Sequence, residues 1–262
     1  MVDVGTVRFI CKSFRMLLKI QFIQLSNFYF VFLAVCFTYL GSYTFIYFLM
    51  KKFNTVLDWN LYHVTFVFAV YQISFGITNL IMSQFKYFSD YVHRGTLDIL
   101  MIRPMSLFLQ IIMRGCEFVS LGNIAVGVFL VVMVTKPLEI EWSAIQIFKF
   151  MLLIVNSSLF IGGIYLIGAT MSIYIINGKE VRDLLVQTLQ NYLIYPKEAY
   201  ERWIQAVLVF SLLYFVTNKP AQWFLGIADS WNAWSVILGL PFFLGIYGIW
   251  NFCLKSYTGA GN

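Results

Sequence analysis

The side chains that could carry chemistry in this sequence are few, and none belongs to a catalytic motif. The two histidines, His63 and His93, lie on either side of a long apolar stretch, so we do not expect them to bind one metal ion. The sequence contains no HExxH, GxSxG or Walker A pattern, which argues against a protease, a hydrolase or a nucleotide site here. We therefore expect no catalytic residue, no metal and no cofactor in this chain.

Polar side chains are instead arranged in one-sided stripes. Two otherwise apolar helices are predicted to carry them: Thr65, Gln72 and Asn79 on one, and Gln187, Gln190 and Asn191 on the other. Because polar side chains avoid lipid, facing stripes could line a passage for an amphipathic substrate. The alternative is hydrogen bonding between packed helices, which contributes about 0.6 kcal/mol per contact.

One pair of opposite charges lies within an apolar stretch. Arg114 and Glu117 are one helical turn apart, and either charge alone would be costly inside a membrane, so we expect them to neutralise each other. They could form an inner gate if they face the centre of the protein. The alternative is a structural pair near the membrane interface.

Membrane helices must position these residues, since the composition excludes a soluble domain. Hydrophobic residues make up 60% of the chain and charged residues 11%, whereas soluble domains carry about 25% charged residues. A membrane helix needs about 20 apolar residues. Six stretches are candidates: residues 28–50, 61–85, 106–134, 144–176, 184–195 and 233–254. The sequence thus predicts an all-α, polytopic membrane protein with six transmembrane helices.

Residues 1–26 are predicted to form an amphipathic helix that lies in the membrane interface. The cations at positions 8, 12, 15 and 19 share one helical face, which suits contact with anionic lipid head groups. Positive residues favour the cytoplasmic side, so we place both termini in the cytoplasm. We attribute the net charge of +6 to membrane orientation and expect no nucleic-acid partner.

Residues 196–231 are predicted to form a re-entrant region on the outer side, within a single transmembrane domain of residues 1–262. Pro196 interrupts a helical pattern and charged residues follow it closely, so a straight span through this part would bury them at high cost. Irregular backbone at membrane depth is tolerated where protein covers it or where it lines a wet cavity.

The connection at residues 86–105, between the second and third predicted spans, is unusually apolar for a cytoplasmic loop. Exposed apolar residues in a row indicate a partner, so we expect this segment to dock another protein. Its candidate contact residues are Arg94, Gly95, Thr96, Leu97, Asp98, Leu100, Ile102, Arg103 and Pro104.

This segment resembles the corresponding part of the membrane subunits of ABC-2 type ABC transporters, in particular a bacterial permease family. The shared pattern is a glycine, a leucine, an acidic residue, further apolar residues and Arg-Pro. Here these residues are Gly95, Leu97, Asp98, Leu100, Arg103 and Pro104. Two more parts of the chain, residues 195–200 with 218–221 and residues 256–261, are also similar.

The resemblance implies a type V exporter-like subunit whose segment at residues 86–105 couples to ATPases. Two such permease subunits, identical or different, would assemble in the bacterial plasma membrane with two cytoplasmic ABC ATPase subunits, which hold the ATP and magnesium. The implied function is export of an unidentified amphipathic substrate across the lipid bilayer. A secondary transporter or a channel that needs no ATP is the alternative.

Overall fold

The computed structural model describes residues 25–53, 59–175, 178–192, 201–204, 213–227 and 230–257, and these ranges are predominantly helical. The predicted interfacial helix at residues 1–26 lies outside them except for its last two residues. Parts of the predicted outer region, namely residues 196–200, 205–212 and 228–229, also lie outside them.

Helices account for most of the described chain. The α-helices are α1 (Leu25–Phe53), α2 (Leu61–Met82), α3 (Phe88–His93), α4 (Thr96–Met101), α5 (Leu107–Ile112), α6 (Leu121–Thr135), α7 (Ala144–Tyr174), α8 (Gly178–Tyr192), α9 (Asn218–Phe224) and α10 (Gly239–Leu254). Short 3₁₀ helices occupy Ser83–Tyr87, Phe118–Ser120, Leu213–Phe215 and Ser230–Val236.

The described ranges include four stretches that are long and apolar enough to cross a membrane. These are Asn27–Phe48, Leu61–His93, Phe118–Thr135 and Ala144–Tyr174, and α10 is a shorter apolar helix. The chain is therefore a multi-pass helical membrane protein. The predicted spans at residues 28–50, 61–85 and 144–176 are confirmed, because α1, α2 and α7 cover most of each of them.

The prediction of one continuous third span at residues 106–134 is wrong. Helix α5 ends at Ile112, the chain is non-helical over residues 113–117, and the apolar span starts at Phe118. A straight helix would have carried Arg114 and Glu117 into hydrocarbon at high cost. The break leaves both residues at the end of the bundle that carries residues 86–105, which we call the 86–105 end.

The predicted fifth and sixth spans differ from simple apolar helices. Helix α8 has charged residues at positions 179, 180, 182 and 183 in its first two turns, so it is too polar to face lipid along its whole length. It covers the predicted span at residues 184–195 as far as Tyr192, and the remainder lies outside the described residues. The last predicted span, residues 233–254, is divided between the 3₁₀ helix at Ser230–Val236 and α10.

Helix α2 lies at the centre of the bundle and α1 at its edge. The most apolar part of the span that begins with α2 has 83% of its residues buried, whereas that of α1 has only 6% buried. Helices α2 and α6 approach closely, since a Cβ on Gly127 would lie 2.8 Å from the Ala69 carbonyl oxygen. Helix α7 contacts α2, α8 and α10, so it joins the first half of the chain to the second.

The described part of the predicted outer region packs against the middle of α7. Asn156 Nδ2 donates to the Phe215 carbonyl at 3.3 Å, and Asn156 Oδ1 accepts from the Gly239 N–H at 2.7 Å. Ser157 Oγ donates to the Val216 carbonyl at 2.5 Å. Asn156 is about 18 Å along α7 from its start, which is near the middle of a hydrocarbon core. These hydrogen bonds satisfy irregular backbone where water is scarce.

Candidate functional site

The segment at residues 86–105 is folded onto the bundle, and two of its apolar side chains anchor it. Leu97 and Leu100 are 0% and 1% exposed and belong to a hydrophobic core. Helix α4, which carries both, begins after Gly95, whose φ is +65°. Glycine adopts this left-handed conformation at little cost, so Gly95 permits the sharp turn into α4.

Contacts from two other helices hold the segment in place. Gln110 of α5 donates through Nε2 to the Leu100 carbonyl at 3.0 Å. The ring of Trp250 in α10 contacts those of Phe85 and Phe88, with centroids 5.8 and 6.0 Å apart. The segment is therefore packed against α5 and α10 and is not a loose loop.

Helix α4 and the residue that follows it expose three apolar side chains. Ile99, Met101 and Ile102 are 59%, 44% and 85% exposed, and we call this surface the apolar tip. Its exposed neighbours in the chain include Arg94, Arg103 and Pro104. An exposed apolar surface next to arginines is typical of a protein-docking site.

The structure divides the predicted contact residues of this segment into two groups. The sequence predicts Leu97 and Leu100 as contacts for a partner, whereas the structure buries them, so they position the tip instead. Ile99 and Met101 were not among the candidate residues, yet they lie at the surface. The available signal was helical spacing, because the two buried leucines are three residues apart and so are Ile99 and Ile102. Gly95, Thr96 and Asp98 are partly buried.

The C-terminal end of the described chain returns to this segment. Burial, and then the nearby carboxylate of Asp98, raise the pKa of Tyr257 above the ordinary value for tyrosine. The phenol therefore stays neutral next to the carboxylate at physiological pH. This contact joins the residues that follow α10 to α4.

A set of charged side chains joins the 86–105 end of α2 to α8. Lys86 Nζ lies 2.6 Å from Glu117 Oε2. Arg182 is 6% exposed, donates to the Lys86 carbonyl at 2.6 Å and pairs with Asp183 at 2.5 Å. Gly168 of α7 makes room for this arginine, since a Cβ there would lie 2.6 Å from Arg182 Cβ. We call Lys86, Glu117, Arg182 and Asp183 the charge cluster.

The prediction that Arg114 neutralises Glu117 is wrong. Glu117 pairs with Lys86, while the Arg114 guanidinium carbon lies 4.7 Å from the centroid of the Tyr91 ring. The break after α5 removes both residues from a common helix, so their spacing of one turn no longer brings them together. Lys86 is 31 residues from Glu117, and no local pattern could have revealed that pair.

The polar stripe of α2 faces the interior of the chain. Thr65, Gln72 and Asn79 are 0%, 1% and 3% exposed. Thr65 Oγ1 donates to the Leu61 carbonyl at 2.7 Å, and Asn79 Oδ1 accepts from the Tyr165 hydroxyl at 2.5 Å. These side chains avoid lipid, as expected, but in this arrangement they are closed off within the helix packing.

The two polar stripes differ in exposure: the stripe of α2 is buried, whereas Gln187 of α8 is exposed. The backbone of Gln190 and Asn191 belongs to α8, and their side chains lie outside the described part of the structure. Tyr165 of α7 connects the stripe of α2 to Arg182 of α8. Its hydroxyl donates to Asn79 Oδ1, and its ring centroid lies 6.0 Å from the Arg182 guanidinium carbon.

The described residues form a polytopic helical membrane protein in which the segment at residues 86–105 is anchored at one end of the bundle and exposes the apolar tip. Residues 36–261 match the family described as ABC-2 family transporter protein. The chain belongs to this family, which confirms the resemblance found in residues 95–104. Proteins of this family are membrane transport components that are not themselves catalytic, and they generally associate with an ABC ATPase. No curated protein and no solved structure shows significant similarity to the chain.

Proposed function

We propose that the chain is one of two permease subunits of an ATP-driven exporter in the bacterial plasma membrane. The second permease subunit is another copy or a related chain, and two cytoplasmic ABC ATPase subunits supply the ATP and magnesium. Membership of the family supports the permease role. The apolar tip is the observation that carries the coupling part of the proposal.

The tip is suited to insertion into a groove of an ATPase subunit. Burying a side chain such as isoleucine contributes about 1.5 to 3 kcal/mol, and Ile102 is 85% exposed in this chain. Arg94 and Arg103 can meet acidic groups at the rim of such a groove and so orient the contact. A short helix with exposed apolar side chains three residues apart is a common recognition element.

Six spans with cytoplasmic termini are consistent with the contacts of the described residues. Helix α8 starts beside the end of α7 and runs back along it, because Gly178 lies against Ser172 and Arg182 against Gly168. The hydrogen bonds from Asn156 and Ser157 to the Phe215 and Val216 carbonyls near mid-membrane depth support a re-entrant outer region. The 86–105 end is rich in cations, which favours the cytoplasmic side: Arg94, Arg103, Arg114, Lys179, Arg182 and Lys255.

Closure of the ATPase subunits on ATP would displace the tip. Because Leu97 and Leu100 anchor α4, the displacement is transmitted to the core and to α10. The hydrogen bond from Arg182 to the Lys86 carbonyl extends the connection to α8. ATP shifts the equilibrium between two arrangements of the bundle to the extent that the ATPase contacts the tip differently in each.

We assign the substrate passage to the polar side of α8. Gln187 is exposed on a helix that is too polar for full lipid contact, so this side suits a wet passage between two permease subunits. Gln190 and Asn191 follow one turn later on the same side. A mildly polar passage of this kind suits an amphipathic substrate, whereas the stripe of α2 acts in packing.

Replacing Ile99 or Ile102 by Asp tests the docking assignment. Each variant should lose co-purification with a co-expressed ABC ATPase partner that the native chain retains, while its amount in the membrane fraction stays normal. Ile145→Asp is the matched control and should retain the ATPase, because Ile145 is 70% exposed at the other end of the spans. Unchanged co-purification of both tip variants would contradict docking at the tip.

A secondary transporter or a channel is the alternative function. The observation that favours it is the burial of Arg182, which is 6% exposed, because buried ionisable groups of membrane proteins often serve ion-coupled carriers. This alternative requires substrate movement in vesicles that hold the purified chain and an ion gradient but no ATPase. Transport that depends on both ATP and an intact tip would exclude it.

A further inference from the structure

An apolar groove opens on the side of the bundle between α2, α5, α7 and α10. Its volume is about 300 Å³, and its lining includes Ile81, Ile112, Val155, Leu159 and Phe243. An apolar cavity of about 150 Å³ is large enough to bind benzene. The groove therefore has room for a substantial length of hydrocarbon chain.

The groove lies within one leaflet of the membrane. Helices α2 and α7 both start at the end of the bundle opposite the 86–105 end. Ile81 is about 30 Å along α2 and Val155 about 17 Å along α7, and a hydrocarbon core is about 30 Å thick. The groove thus extends from near the midplane to the 86–105 end. Ile81 and Val155 form its rim and are 47% and 53% exposed.

The polar side chains that line the groove are already hydrogen-bonded. They are Thr78 and Ser158, whose hydroxyl oxygens lie 2.9 and 3.3 Å from the Ser74 carbonyl oxygen. A ligand in the groove would gain apolar contacts and no hydrogen bond from these hydroxyls. In a membrane, such a surface selects a hydrocarbon chain that packs well.

A cation lies just beyond the end of the groove. Arg114 follows Ile112 by two residues, is exposed, and forms no ion pair within 4 Å with any described residue. The carboxylate of Glu117 is paired with Lys86 instead. The Arg114 guanidinium lies over the Tyr91 ring, which orients it at the membrane interface, where arginine binds phosphate well.

We propose that this groove binds an acyl chain of an anionic phospholipid from the leaflet at the 86–105 end, with the lipid phosphate on Arg114. The bound chain would contact α2, α5, α7 and α10 together. Since α5 holds the docking segment through Gln110, the lipid stabilises the position of that segment. The site is separate from the passage along α8, and lipid binding there requires neither an ATPase nor transport.

Photolabelling in vesicles tests the groove. The purified chain is placed in phosphatidylglycerol vesicles that contain a phosphatidylglycerol probe with a diazirine in its acyl chain, and labelled residues are mapped by mass spectrometry. We expect labels on Ile81, Val155 and Leu159. Val155→Phe fills the groove and should lower this labelling several-fold. Val132→Phe is the matched control and should not, because Val132 is 67% exposed on α6 and lies outside the groove.

A second arm tests the head group. Arg114→Gln should lower labelling by the phosphatidylglycerol probe about fivefold. It should lower labelling by a phosphatidylcholine probe less, because the choline cation offsets the charge of that phosphate. Gel filtration of each variant checks that it is folded. Equal labelling of the groove and of the Val132 face, unaffected by Val155→Phe, would overturn the proposal. A disulfide-linked second copy formed by Val155→Cys, in a chain whose native cysteines are serine, would do so too, because it assigns the groove to a subunit interface.

Discussion

Replacing Glu117 by Gln should destabilise the chain through Lys86 and not through Arg114. Lys86 Nζ and Glu117 Oε2 are 2.6 Å apart, and the two side chains are 20% and 41% exposed. Exposed ion pairs contribute about 0 to 1 kcal/mol, whereas breaking a fully buried pair costs about 3 to 5 kcal/mol. For this partly buried pair we expect a coupling free energy of about 1.5 kcal/mol, between those limits.

A double-mutant cycle measures this coupling. The free energy of unfolding is determined by SDS titration in detergent micelles for the native chain, Lys86→Met, Glu117→Gln and the double variant. The matched cycle combines Arg114→Met with Glu117→Gln, and its coupling should stay below about 0.5 kcal/mol, as for residues that do not interact. A coupling in the Arg114 cycle as large as that in the Lys86 cycle would refute the ion-pair assignment.

Four further substitutions test the packing and the proposed roles of single residues. Leu100→Ala should lower the free energy of unfolding by about 2 to 5 kcal/mol because it leaves a cavity. Ile102→Ala should leave the free energy of unfolding unchanged and weaken ATPase binding about tenfold. Measuring the free energy of unfolding and the ATPase affinity of both variants checks this. Gly168→Leu should push α8 away from α7, since a Cβ already lies 2.6 Å from Arg182 Cβ. Distances between spin labels on α7 and α8 should increase in this variant. They should not change in the control Gly41→Leu in α1, where the added Cβ has no neighbour within 4 Å. Gln187→Leu should reduce transport in vesicles with normal assembly, and an equal loss of folded protein would instead assign Gln187 to packing.

The long apolar helices were predictable because hydrophobicity over about 20 residues is a local property of the chain. Helices α1, α2 and α7 follow their predicted stretches closely. Docking by residues 86–105 stays a prediction, although the run of apolar residues between charges is visible in the sequence without any knowledge of neighbours.

The partners of individual polar residues were not predictable, because they come from distant parts of the chain. The Tyr165 hydroxyl reaches Asn79 across 86 residues, and the Arg182 guanidinium reaches the Lys86 carbonyl across 96 residues. Spacing in the sequence pairs a charge with its neighbour one turn away, which holds only if the helix is continuous. At Arg114 and Glu117 the helix is broken, so the local pairing fails.

Composition and spacing establish a multi-pass membrane chain, since a hydrocarbon layer sets the length and polarity of any segment that crosses it. They also predict a docking segment between the second and third spans. They leave open which side chains of that segment are available to a partner. Leu100 and Ile102 are both apolar and two residues apart, yet one is 1% exposed and the other 85%. Burial depends on the helices that pack around a residue, and those neighbours exist only once the chain has folded.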